Sequence, residues 1–364
     1  MKKRPCLNLD HDKLRYNMKS VVDWCGQEGI NVAGVIKVTG GMASVAKDYE
    51  ECGAAMIASS RLEQLARAKA SGVKIPMLMI RVPMLSEVEE MVEVCDYSLQ
   101  SELTTLEATN KAAISAGRIH NVIIMADLGD LREGYFDKDE LVAAAKYTED
   151  VLSGLHLAGI GTNLGCYGSV MPTEDKMLQL TEYAEAVEAA IGRPLEIVSG
   201  GATSSLMTVF DGKMPGKINM LRIGALSFLG PLEDLRTCYG RTEVDGLYDD
   251  VFTLDAEVIE MRTKPTHPIG QLGVDATGHR ATYEDKGNRK RALVAIGRAD
   301  YGDIGDIIPQ LEGSYVVGAS GDHTIVDIED CTEDIRVGDV ITFKLRYTGL
   351  LHLTSSENVK IYEQ

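Results

Sequence analysis

No C-x-x-C pair occurs anywhere in this chain of 364 residues. Its seven cysteines, Cys6, Cys25, Cys52, Cys95, Cys166, Cys238 and Cys331, are scattered and odd in number. The pattern argues against a disulfide framework or a structural zinc and for reduced thiols in the cytoplasm. No apolar run is long enough to cross a bilayer. The start, Met1-Lys2-Lys3-Arg4-Pro5, is basic, but no apolar stretch follows it, so no signal peptide is expected. Positive charge is scarce: 37 Lys and Arg stand against 55 Asp and Glu, a net charge of −18. Nucleic acid and anionic membrane surfaces are therefore poor partners, and the charge favours solubility. Internal repeats and low-complexity tracts are also missing. What is present is ordinary for a globular protein, with 45% hydrophobic and 25% charged residues. The length suits two domains, each with a real core.

From about residue 12 to about residue 230, strand-like apolar runs alternate with helix-like runs. The strand candidates are Ala33–Val38, Ala55–Ser59, Pro76–Arg81, Tyr97–Leu99, Val122–Leu128, Leu155–Thr162, Leu195–Ser199 and Ile218–Ile223. Between them, Leu14–Gln27, Leu62–Ala70, Glu102–Ala116, Glu140–Leu152 and Glu174–Ile191 carry helical periodicity. Eight β-α units over this length suggest an α/β fold, a (β/α)8 TIM barrel, whose chemistry lies at the carboxyl ends of its strands. After about residue 240 the runs become short and alternating: Phe252–Val258, Arg291–Ile296, Ser314–Gly318, His323–Asp327, Val340–Leu345 and Val359–Tyr362. This reads as a smaller β-domain. The expected division is a barrel over 1–235 and a β-domain over 236–364. Leu7-Asn8-Leu9 has the pattern of a first strand that could join either domain.

Lys37 is the most informative residue. It ends the apolar segment Gly34-Val35-Ile36-Lys37 and precedes Val38-Thr39-Gly40-Gly41. A lysine at the end of a buried strand is costly unless it is paired, neutralised or covalently bonded. A desolvated lysine loses basicity and suits Schiff-base chemistry. The ordinary alternative is a lysine that snorkels to the barrel mouth. Other strands also end in polar or glycine-rich text, including Asp127-Leu128-Gly129, Gly161-Thr162-Asn163, Ser199-Gly200-Gly201 and Arg222-Ile223-Gly224. Ser199–Ser205 follows the seventh strand and can cradle a phosphate or simply cap a helix.

A barrel with a lysine at the end of its first strand, followed by a β-domain, resembles the alanine-racemase fold type of pyridoxal-phosphate enzymes. The resemblance covers nearly the whole chain. Val35-Ile36-Lys37-Val38 looks like the cofactor-lysine strand, and Arg222-Ile223-Gly224-Ala225 like the Arg-x-Gly segment of the last strand. Asp127-Leu128-Gly129-Asp130-Leu131-Arg132-Glu133-Gly134 looks like the Asp-x-Gly…Arg-x-Gly segment of the fifth. Met77–Glu87 and Arg289-Lys290-Arg291-Ala292, with Val38–Gly41 and Asp127–Gly134, resemble the ornithine racemase branch.

The resemblance implies pyridoxal 5'-phosphate as cofactor, bonded to Lys37, whose freed amine then moves a proton on one face of the substrate. Gly201, Thr203 and Ser204, with Ser199, Gly224, Ala225 and Tyr347, would serve the phosphate. Arg222 would face the ring nitrogen and disfavour its protonation. Arg132 would approach the ring hydroxyl or the substrate carboxylate, and Asn163 the ring. Two departures stand out. Met125 occupies the place of a lysine that positions the arginine in many alanine racemases. Ile269-Gly270-Gln271-Leu272-Gly273 lacks the tyrosine that serves as second base. The replacement candidates are His323, with Asp322 to orient it or to bind a cationic substrate, then Tyr301 and Tyr283. A site shared across a homodimer is implied.

The expected activity is an amino-acid racemase for ornithine or lysine. An alanine or serine racemase, a fold-related lyase and a non-catalytic cofactor carrier are the competing readings. No metal ligands are expected. A diamino acid would need a carboxylate partner for its distal ammonium, with Asp322, Asp300 and Glu133 as candidates.

Overall fold

The computed structural model describes residues 2–230, 235–236, 239–274, 278, 280 and 282–364. It divides into two units, one over Asp12–Tyr248 and one that joins residues up to His11 to Asp249–Gln364.

Strand β1 (Cys6–Leu9) belongs to the second unit. The first unit is built on β2 (Asn31–Val35), β3 (Met56–Ser59), β4 (Met77–Met79), β5 (Tyr97–Gln100), β6 (His120–Ala126), β7 (Leu155–Thr162), β8 (Ile197–Ser199) and β9 (Met220–Ile223). All neighbours pair in parallel, and β9 returns to β2, so the sheet closes into a barrel. Closure removes both sheet edges. Ala33 and Val35, Met56 and Ala58, Leu78, Leu99, Ile123 and Met125, and Met220 pack together as the inner cluster. Their spacing of two along a strand is the signature of one strand face. The opposite face meets helices: Val32, Leu221 and Ile223 pack with Val21 and Cys25 of the helix His11–Gln27. A register shift between β6 and β7 lies beside Gly159, where a Cβ would stand 1.8 Å from the Ile197 carbonyl oxygen. Only glycine permits that approach.

Two short barrel helices, Ala43–Glu51 and Val88–Val94, escape the sequence periodicity. The strand expected over Ala33–Val38 ends at Val35, and Lys37 opens a 3-10 turn, Lys37–Thr39. Ile36, at φ −95° and ψ 6°, turns the chain out of the strand.

The boundary expected between 235 and 236 falls instead after Tyr248. Leu235, Val244 and Leu247 pack in the cluster with Val21, Ile30 and Leu221. The Asn17 amide donates to the Tyr248 carbonyl at 2.8 Å and its oxygen accepts from the Tyr248 N–H at 2.9 Å. The segment lacks periodicity, so only these distant partners reveal its membership.

The second unit contains β10 (Phe252–Pro265), β11 (Asn288–Val294), β12 (Ile307–Pro309), β13 (Tyr315–Ala319), β14 (Thr324–Asp327), β15 (Val340–Leu345) and β16 (Lys360–Glu363). The sheet order is β12-β15-β10-β11-β14-β13, and β1 pairs antiparallel with β10 and parallel with β16. Leu7-Asn8-Leu9 thus lies in the C-terminal sheet. Phe252, Leu254, Ala256 and Val258 alternate into its core with Ile341, Phe343 and Leu345. Tyr301 is fully buried and its hydroxyl meets Thr324 Oγ1 at 2.7 Å. As a core residue it is poorly suited to carry protons. The described helices contain no segment long and apolar enough to cross a membrane.

Candidate active site

The carboxyl ends of the barrel strands gather Ser199 in β8 and Arg222 in β9 with Lys37, Arg132, Asn163, Gly201, Thr203, Ser204, Gly224 and Ala225 in the loops and turns that follow β2, β6, β7, β8 and β9. Lys37 is half-buried, and its basicity falls below the ordinary lysine value. Burial is the leading cause. Cys166 and Glu133 work against it, whereas the Arg132 and Arg222 cations reinforce it. These five side chains therefore share one electrostatic environment.

Arg222 lies in β9 and is 4% exposed. Its guanidinium donates to Ser199 Oγ at 2.6 Å, to the Thr162 carbonyl at 2.9 Å and to Asn163 Oδ1 at 3.4 Å. All of these acceptors are neutral. Burial without a carboxylate partner pushes Arg222 down to about 10, still charged at neutral pH. Ser199 is fully buried, and its side chain buttresses Arg222. Asn163 Nδ2 is buried without a hydrogen-bond partner. An orphaned buried donor of this kind marks a place where a ligand acceptor can sit.

After β8 the chain forms Gly200-Gly201-Ala202 and then a 3-10 turn, Thr203–Ser205. Gly201 has φ +118°, and a Cβ there would stand 2.6 Å from Ser205 Oγ. Ser205 closes the turn by donating to the Gly200 carbonyl at 2.7 Å, and Ser204 donates to the Leu164 carbonyl at 2.8 Å. N–H groups that open such a turn lack partners within it and suit an anion. Gly224 follows β9 where a Cβ would meet the Val35 carbonyl at 2.9 Å, and Ala225 begins the next short helix.

The loop after β6 is held by its acids. Asp127 accepts from the Gly129 and Leu131 N–H groups at 2.8 and 3.1 Å, which holds Leu131 at φ +59°. Asp130, 1% exposed, reaches to the loop after β7 and accepts from the N–H groups of Gly165, Tyr167 and Val170 at 3.1, 3.0 and 3.3 Å. Glu133 receives both sides of the Arg132 fork, one of them Nη2 at 2.5 Å. That pairing raises the Arg132 pKa above the usual arginine value. Met125, fully buried among apolar neighbours, offers Arg132 no polar contact.

The roles of Asp130 and Cys166 are absent from the sequence reading. The glycine-rich stretch Gly165-Cys166-Tyr167-Gly168 is the available signal, because a Cβ on Gly168 would collide with Asp130. Asp322 and His323 lie in the exposed turn between β13 and β14 of the other unit, and Tyr347 opens its helix Tyr347–Leu353. Asp300 in that unit is buried and accepts from Ser356 and Asn358. Tyr283 is half-exposed beside His267. Among the described residues no cluster of His, Cys, Asp and Glu could hold a metal ion.

The chain is 39% identical over 356 residues to the ornithine racemase of Acetoanaerobium sticklandii, covering 98% of each chain. It is 36% identical over 362 residues to the lysine racemase of Thermotoga maritima, covering 99% of this chain and 98% of that one. The alanine racemase from a D-cycloserine-producing Streptomyces lavendulae superposes with a TM-score of 0.76 at 19% identity, covering 100% of this chain and 98% of that one. A D-threonine aldolase from Filomicrobium marinum gives 0.73 at 17% identity, over 97% and 89% of the two chains. Residues 9–230 match the family described as alanine racemase, N-terminal domain, and the chain belongs to that family.

Proposed function

We propose that this protein is an amino-acid racemase that uses pyridoxal 5'-phosphate and acts on ornithine or lysine. The observation that carries the reading is Lys37, of lowered basicity, in one electrostatic environment with Arg132 and Arg222 at the mouth of a barrel whose full-length relatives are ornithine and lysine racemases.

The residues present fit the cofactor. The turn Gly201–Ser204, with Gly224 and Ala225, suits a phosphate. The orphaned Asn163 amide offers a donor, and Lys37 offers an amine whose basicity burial lowers. When bound, the cofactor supplies an electron sink for the charge left on the substrate α-carbon. Lys37 takes or returns the α-proton at its Nζ on one face. Arg222, held by neutral oxygens, keeps its own proton and presents a cation, which disfavours a second positive charge facing it. Arg132 receives the substrate carboxylate through its fork.

Inversion needs a proton carrier on the opposite face. His323, oriented by Asp322, is the proposed carrier, delivered by a second copy of the chain in a homodimer. The free cysteines among the described residues and the net charge of −18 support residence in the cytoplasm.

The test is incubation of the purified protein in D2O with L-ornithine or L-lysine. The expected result is deuterium at the α-carbon, appearance of the D-enantiomer, and a visible absorbance band that Lys37→Ala abolishes. A band without exchange for any amino acid would refute the racemase reading and favour a cofactor carrier.

A further inference from the structure

We propose that Glu133 is the specificity residue for a distal ammonium, because a substrate carboxylate displaces it from Arg132 and leaves it in need of a new cation. The proposal rests on the racemase reading for its reaction, but the binding site it describes can be tested without it.

The argument begins with how each carboxylate of the β6 loop is engaged. Asp127 and Asp130 direct their oxygens at backbone N–H groups, which no ligand can replace without rebuilding the loop. Glu133 instead engages a side chain. Its two oxygens lie across Nε and Nη2 of Arg132, the arrangement any free carboxylate adopts on a guanidinium. The α-carboxylate of an amino acid has the same shape and charge, so the two compete for one fork.

The consequences fall on Glu133. Its side chain is 16% exposed, against 43% for Arg132, so the acid lies deeper than its partner. A largely buried carboxylate stripped of its cation is costly. Arg222 is committed to Ser199, Thr162 and Asn163. Lys37 is the amine required for chemistry. A substrate with a second ammonium brings the missing charge, and a substrate with an apolar side chain does not. The competing acids are less suited. Asp300 is buried against Ser356 and Asn358, and Asp322 is engaged in orienting His323 in the proposed mechanism.

L-Ornithine and L-2-aminopentanoate have the same chain length and differ at the terminal ammonium. The full chain is assayed with both by α-carbon exchange in D2O. Binding of both is measured by calorimetry, with and without added pyridoxal phosphate. The expected wild-type preference for ornithine is roughly 10- to 100-fold, typical of a charge-assisted bond, and is carried by KM and Kd more than by kcat. Glu133→Gln collapses the ratio to near unity, and Glu133→Asp, which keeps the charge on a shorter arm, restores part of it. In cofactor-free protein, Glu133→Gln also speeds amine-specific acylation of Lys37 at fixed pH, because the anion that sustains its protonation is gone. Equal losses for both compounds, with the preference intact, would reduce Glu133 to a brace for Arg132 and overturn the proposal. If wild type exchanges neither compound, the racemase reading fails. The ammonium site is then decided by calorimetry alone, and equal affinities in wild type and Glu133→Gln overturn it.

Discussion

His120 provides a stability test whose magnitude follows from its surroundings. It begins β6, is 1% exposed, and its Nε2 lies 3.0 Å from Ser98 Oγ. Ser98 also accepts from Gln100, which bonds Thr105 and Thr109, so the ring joins a buried neutral network. Burial, aided by the Arg118 cation and opposed by Asp96 and the Cys95 backbone, pushes His120 down to about 4 from its ordinary 6.5. Because the folded value is depressed, the unfolded chain binds the proton first as pH falls. Stability is complete above about pH 6.5 and declines through the window down to about pH 4. A shift of about 2.5 pH units, at roughly 1.4 kcal/mol each, amounts to about 3 kcal/mol. The assay is urea unfolding of wild type and His120→Gln from pH 7 to pH 4.5, followed by a signal specific to the barrel. At pH 7 the variant is less stable by about 1–3 kcal/mol through lost packing and hydrogen bonding. That gap narrows as pH falls, since only wild type must leave a histidine unprotonated. A gap that stays constant across the window, or a His120 ring that titrates near 6.5 by NMR in the folded protein, would refute the reasoning.

Two further perturbations probe the site. Asp130→Asn places an amide where Asp130 accepts from the Tyr167 N–H, so amide exchange at Gly165, Tyr167 and Val170 rises roughly tenfold or more, while the barrel strands keep their protection. Ser199→Ala leaves Arg222 Nη1 without its acceptor at full burial, which costs about 1–3 kcal/mol in denaturant unfolding, and Ser199→Thr recovers part of it. An unchanged midpoint in Ser199→Ala would show that Arg222 is held by Thr162 and Asn163 alone.

The two kinds of information divide along physical lines. Glu174–Ile191, Leu62–Ala70, Leu155–Thr162 and Val340–Leu345 are legible in the sequence to the residue, because amphipathic spacing is a local property that burial then enforces. The order of such segments is enough for a closed barrel and a separate β-sheet. The position of Lys37, just past a buried strand, is likewise a local signal. Short helices such as Ala43–Glu51 escape because they complete too few turns to show a period. The membership of Leu235, Val244, Leu247 and Tyr248 escapes because their partners, Val21 and Asn17, lie more than two hundred residues earlier. The same limit applies at the site. Asp127-Leu128-Gly129-Asp130-Leu131-Arg132-Glu133 displays its acids in the sequence but not their tasks. Which one caps its own turn, which crosses to Gly165 and Val170, and which occupies the fork of Arg132 depends on where the barrel brings the β7 loop. Burial lowers the basicity of Lys37, whereas the pairing with Glu133 raises that of Arg132. The sequence by itself determined the elements and their order, because these follow from neighbours along the chain. The electrostatics and the pairing of the site were decided by tertiary structure, because they depend on distance through space and exclusion from water.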